Sequence, residues 1–181
     1  MKKLILFSVI GGIILFIWQF LSYSLPDFHK SAHAYTPLQD SIMNQIEKLG
    51  LEEGMYMLGA ANPENPEEVA AAMKEETRTW AVLNYQVDDS NSMTKPLIRS
   101  VINCMIIAGL LFWLLKQKPD STLLSKVLLS FVVGFISFLY MPYSNFIWYK
   151  EPDIWAHLMD GVIPWLILGL IAHLFLKPKS A

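Results

Sequence analysis

A chain of 181 residues that is 54 % hydrophobic, carries a formal charge of −2 and holds one cysteine excludes several classes at once. The lone Cys104 rules out a disulfide framework and a CxxC redox pair. The basic residues form short clusters rather than a patch, so nucleic acid is excluded as a partner.

A hydrocarbon core about 30 Å thick takes roughly 20 apolar residues of helix. Leu4 to Leu21 is uncharged, with Ser8 and Gln19 as its polar residues, and predicts a transmembrane anchor within residues 1–22. Ala32-His33-Ala34 looks like a small-x-small cleavage site. It lies well beyond the apolar run, which is longer than a signal peptide's core, so an uncleaved signal anchor is expected.

Residues 23–95 read as a small α-β-α-β module. Thr36-Pro37-Leu38-Gln39 offers an N-cap, an N1 proline and a capping-box glutamine. Leu38, Ile42, Ile46 and Leu49 then form one apolar stripe, and Gly50 ends the helix. Gly54 to Leu58 predicts a strand. Asn65-Pro66-Glu67-Glu68 opens a second helix, with Val69, Ala70 and Met73 facing inward. Thr79 to Val87 alternates as a second strand. So few elements bury too little apolar surface to stand alone, and the module is expected to rest on the membrane helices or on a partner.

Residues 96–181 predict three further spans: Pro96 to Leu115, Leu123 to Met141 and Ile154 to Leu176. A short hairpin at residues 116–126 joins the second span to the third. The loop Tyr140 to Trp155, rich in Tyr and Trp, reads as an aromatic belt at headgroup level. Gly11, Gly12, Ala108, Gly109, Gly134, Gly161 and Gly169 permit close helix packing.

The lysines set the expected orientation. Lys2, Lys3, Lys116, Lys118, Lys126, Lys177 and Lys179 flank the spans on one side against the single acid Asp120, whereas Ser22 to Lys95 holds twelve acids and five bases. The positive-inside rule puts both termini in the cytoplasm and residues 23–95 outside. The fold class is thus a membrane all-α protein, a four-helix transmembrane bundle with an α+β extracytoplasmic module between spans one and two.

Asn145-Phe146-Ile147-Trp148-Tyr149, then Asp160-Gly161-Val162-Ile163-Pro164-Trp165 and Gly169, resemble an uncharacterised group of small bacterial four-span inner-membrane proteins. Gly11-Gly12-Ile13-Ile14-Leu15-Phe16-Ile17-Trp18, Leu25-Pro26 and His29 are similar as well. The resemblance implies the same architecture and a bacterial inner membrane, and it carries no activity.

The candidate site lies inside the bundle. Asp153, His157, Asp160 and Pro164 share one helical face, and Asp160 lies about 9 Å below the start of its helix at a rise of 1.5 Å per residue. Arg99 and Asn103 stand at similar depth on span two. An ionisable group in a span is costly and turns toward a partner or a wet cavity. Arg99, Asn103, His157 and Asp160 are therefore read either as a ligand pocket open to the outside or as a structural Arg99–Asp160 pair.

No metal site is expected. Asp27, His29 and His33 come nearest to one, since His29 and His33 would face one way in a helix. Met55 and Met57 on one strand face would suit Cu(I), but the module's methionines are simpler as adaptable packing. With no histidine in spans one to three, bis-histidine haem within one chain is excluded. The lack of an acid in span one argues against a minimal multidrug antiporter.

No nucleophile–base pair is placed with specificity, so an enzyme is not expected, nor is a cofactor. The function expected is that of a non-enzymatic accessory or scaffold protein. Its partners are membrane lipids and another membrane or periplasmic protein, met through the acidic module. The alternative is a small-ligand or ion-binding protein, or a transporter subunit, that uses the polar cluster.

Overall fold

In chain order the elements are α1 (Lys2–Ser24), a 3₁₀ turn (Lys30–Ala32), α2 (Gln39–Lys48), β1 (Gly54–Leu58), α3 (Pro66–Ala72), β2 (Ala81–Tyr85), α4 (Thr94–Lys116), α5 (Leu123–Tyr140), α6 (Pro142–Tyr149) and α7 (Ile154–Leu176). They are seen in a computed structural model that describes residues 1–24, 28–32, 34–75, 77, 79–87 and 93–176. Two compact units emerge, Met1–Ala34 with Ser92–Ala181, and Tyr35–Asn91.

The first unit holds four helices long and apolar enough to cross a membrane, with α5 and α6 together making the third. Its core is apolar, around Phe7, Leu111, Phe112 and Leu168, but its surface is apolar as well. Ile13, Ile17, Ile106, Leu110 and Ile136 point outward, while Ser22, His29, Lys126, Ser130 and Asp153 are buried. An apolar exterior with the few polar groups turned inward is what a hydrocarbon solvent selects.

Helix α1 lies between α4 and α7 and runs antiparallel to both. Lys3 Nζ donates to the Phe175 carbonyl at 2.7 Å, a cation where the end of α7 leaves carbonyls unpaired. Phe7, Phe112 and Phe175 form an aromatic cluster at this end, with Phe7 stacked on Phe112 at 4.6 Å.

Small residues set the helix spacings. A Cβ on Gly11 would stand 2.9 Å from Ala108 Cβ, and one on Gly12 would meet the Met105 backbone at 2.7 Å. Between α5 and α7, a Cβ on Gly134 would overlap the Gly161 carbonyl and the Trp165 ring, and one on Gly169 would stand 2.8 Å from Val127 Cα. Without a hydrophobic drive between helices in lipid, such close approach supplies the dispersion contact.

The turn between α4 and α5 is held from inside. Thr122 caps α5 by accepting from the Ser125 N–H at 3.2 Å. Buried Lys126 donates to the Pro119 carbonyl at 2.8 Å and also to the Ser121 carbonyl.

The segment read as a loop carrying an aromatic belt contains helix α6. Pro142 has no N–H to give to the end of α5, yet it suits the first position of a new helix. Lys150, at φ 56°, then closes α6 in the left-handed conformation, its N–H reaching the Phe146 carbonyl at 3.1 Å.

In the second unit, β1 and β2 pair antiparallel, with Tyr56 opposite Leu83. Asn65 caps α3 as the sequence indicates, accepting from the Glu67 and Glu68 N–H groups at 3.1 and 3.4 Å. Helix α2, by contrast, begins at Gln39 rather than at Pro37, and Thr36 instead accepts from the Leu38 N–H at 3.3 Å in a local turn. Of its apolar stripe Ile46 is buried, whereas Leu38, Ile42 and Leu49 are exposed; Met73 after α3 is exposed too.

The tight α5–α7 crossing yields a direct expectation. Gly134→Ala should cost about 1–3 kcal/mol of overpacking, read as a lower unfolding midpoint in detergent. An unchanged midpoint would mean that the two helices stand farther apart than described.

Candidate functional site

The polar site is built on the first two turns of α7. Asp153 starts that helix, its carbonyl accepting from the Ala156 and His157 N–H groups at 2.9 and 3.2 Å. Positions 153, 157 and 160 then stack along one face, as their spacing dictates.

Asp160 finds its partners on α1 and in the segment after it. Its Oδ1 accepts from Trp18 Nε1 at 2.9 Å and from Ser22 Oγ at 2.7 Å. Trp18 and Ser22 are four residues apart, one turn of α1, so a single face delivers both donors. The Oδ2 atom lies 3.1 Å from His29 Nε2.

His29 is the keystone and is 2 % exposed. Its Nδ1 lies 2.6 Å from Asp153 Oδ2, so one imidazole bridges two carboxylates. Tyr23 stacks flat on it, with centroids 3.9 Å apart and planes 2° from parallel, while His157 meets it at 4.9 Å and 68°. His157 Nε2 also lies 3.4 Å from Asp153 Oδ2. The ion-pair partners of both aspartates among the described residues are thus histidines.

Two groups have metal-ligand spacing. One ligand atom from each of His29, His157 and Asp160 lies within 4.8 Å of the others, and the same holds for Glu151, Asp153 and His157. Alongside, a cavity of about 270 Å³ opens between the helices, with Trp18, Tyr23, Cys104, His157, Asp160 and Trp165 in its wall.

Of the four ligand candidates read from the sequence, His157 and Asp160 are together here. Arg99 and Asn103 are not: both are exposed on α4 and line a separate recess with Ser100, Ile102 and Ile106. The expected Arg99–Asp160 pair is therefore replaced by the Trp18, Ser22 and His29 contacts. The physical reason is the rotation of α4. Close approach of Gly11 and Gly12 to Ala108 and Met105 turns the Cys104 face toward α1. Gln19 Oε1 then takes the Ser100 Oγ and Cys104 Sγ contacts, both at 3.4 Å.

Of Asp27, His29 and His33, His29 joins the cluster, while Asp27 and His33 lie outside the described residues. Sequence reasoning missed Trp18, Ser22 and Tyr23. The available signal was their position at the C-terminal end of α1, level with the start of an antiparallel α7.

No family model, curated protein or solved structure matches the chain. The fold itself defines the class, a multi-pass membrane protein.

Burial alone raises the Asp153 carboxyl, but the hydrogen bond with His29 and the charge of His157 outweigh it and hold Asp153 below the usual carboxylate range. A carboxyl with a lower pKa folded than unfolded adds stability that is complete above its unfolded value, about 3.9. That stability is lost as pH falls through the folded value. The protein in detergent should therefore unfold more readily as pH drops below about 4, and Asp153→Asn should flatten the dependence. Unfolding temperature against pH for both proteins checks this; equal slopes would show that Asp153 carries none of the acid sensitivity.

Proposed function

We propose that this membrane protein is a small-ligand or ion-binding protein whose site is the His29–Asp153–His157–Asp160 cluster with its adjoining cavity. The observation that carries the reading is the convergence of two aspartates and two histidines, from two separate segments, beside a cavity between helices. Ionisable side chains in such a place are costly, and they mark binding sites or ion pathways. The position of the cavity, between helices, also favours binding. In this reading the protein acts by binding and not as an enzyme.

The lysines flanking the spans support an orientation with both termini in the cytoplasm. The site then faces the outer side of the membrane, the same side as residues 23–95. The resemblance of the membrane segments to small bacterial proteins supports a bacterial inner membrane.

A second reading, an accessory role, has its own observation. Leu38, Ile42, Met55, Met57 and Val82 leave the acidic unit with much exposed apolar surface, which suits contact with a membrane or periplasmic partner.

A thermal-shift screen of ions and small polar solutes in detergent tests the first reading. A ligand at a hundred times its Kd stabilises by about 2.7 kcal/mol, and Asp160→Asn should abolish the shift. A ligand whose effect is unaltered by Asp160→Asn would place binding elsewhere.

A further inference from the structure

We propose that the cluster binds a divalent first-row transition-metal ion of the Zn²⁺, Mn²⁺ or Fe²⁺ type, with His29 Nε2, His157 and Asp160 as protein ligands. Asp153 orients His29. This inference rests on the reading of the cluster as a ligand site and names the class of ligand.

The first argument is convergence. His29 faces a carboxylate oxygen with each ring nitrogen, at 2.6 Å through Nδ1 and 3.1 Å through Nε2. His29, His157 and Asp160 each bring one ligand atom within 4.8 Å of the others. A metal ion takes the place of a proton between such groups, because metal ligands bind in their deprotonated form.

The second argument is the orientation of the ring. Metal-bound histidines donate their other N–H to a carboxylate, which fixes the tautomer and raises the basicity of the ligating nitrogen. Asp153 does this for His29, and Tyr23 stacked on the ring prevents it from turning.

Distance and charge agree. Two ligands about 2.1 Å from a tetrahedral ion stand roughly 3.4 Å apart, close to the 3.1 Å between His29 Nε2 and Asp160 Oδ2. His157 and Asp160 are 22 % and 23 % exposed at their side chains, which leaves them room to draw in around an ion. A divalent cation also balances the two carboxylates, whose buried charge is otherwise costly.

The donor set selects the class. Imidazole nitrogen with a carboxylate suits Zn²⁺, Mn²⁺ and Fe²⁺, whereas Cu⁺ asks for thiolate or thioether and Ca²⁺ for six or more oxygens. Cys104 is no competitor, because it brings no ligand atom into either converging group. Three protein ligands leave a coordination position open, as in metal sites that exchange ligands. His157 and Asp160 line the cavity of about 270 Å³, so that position has space beside it.

The test uses full-length protein purified in detergent without a histidine tag, stripped with chelator, and titrated with Co²⁺ as the probe. Visible absorption should saturate at one Co²⁺ per chain and be displaced by Zn²⁺. His29→Gln and His157→Gln should lose the bands, and Asp153→Asn should weaken binding about 10–100-fold while keeping the stoichiometry. The wild-type titration stands on its own if a variant fails to fold. Absence of stoichiometric Co²⁺ and Zn²⁺ binding by wild type would overturn the proposal, as would equal binding by folded His29→Gln. Should wild type take up no metal yet gain Asp160-dependent stability from a non-metal solute, the metal assignment falls and the ligand site survives. If neither ions nor solutes act, both fall.

Discussion

Asp160 sits within the apolar helix α7, and a carboxylate in that position cannot be left without partners. Three donors or counter-groups answer it: the Trp18 indole, the Ser22 hydroxyl and the His29 ring. Trp18 and Ser22 must come from one face of α1, so the rotation of α1 against α7 is tied to this one side chain. His29 must come from beyond the end of α1, and it seats against α7 through Asp153 and Asp160. Asp153 and His157 then complete the enclosure of His29 from the α7 side.

The two ends of the bundle are built by different physics. At one end, phenylalanines and Gly–Ala contacts supply dispersion, and Lys3 closes the exposed carbonyl end of α7. At the other, hydrogen bonds and ion pairs hold the elements. The ionisable groups are concentrated where a cavity opens between the helices instead of a close-packed core. In such surroundings an unpaired charge is expensive and a paired one is specific. Two carboxylates around one imidazole are therefore the most specific contact at this end of the bundle.

The spans were legible in the sequence because hydrophobic length is set by the bilayer and needs no tertiary context. The face shared by Asp153, His157 and Asp160 was legible for the same local reason, helical spacing. Arg99 was misassigned because depth in the membrane does not fix helix rotation. Rotation of α4 is decided by Gly11 and Gly12 meeting Ala108 and Met105, a contact between distant segments. His29 was seen as part of a local trio when its partners lie 124 and 131 residues away. Helix α6 was missed because aromatic density suggested a belt, while Pro142 and the left-handed Lys150 mark a helix start and stop. In the acidic unit the Asn65 cap was readable from four adjacent residues. Thr36 offered a similar pattern but closed a turn instead.

The account stands or falls on whether His29, outside the spans, is energetically joined to Asp160 within one. A double-mutant cycle on unfolding free energy in detergent, using His29→Ala, Asp160→Asn and the pair, measures that coupling directly. Contacting residues in one network give interaction energies of about 0.5–3 kcal/mol, and a value in that range is expected. Additive losses would contradict the account, because the histidine and the aspartate would then act independently.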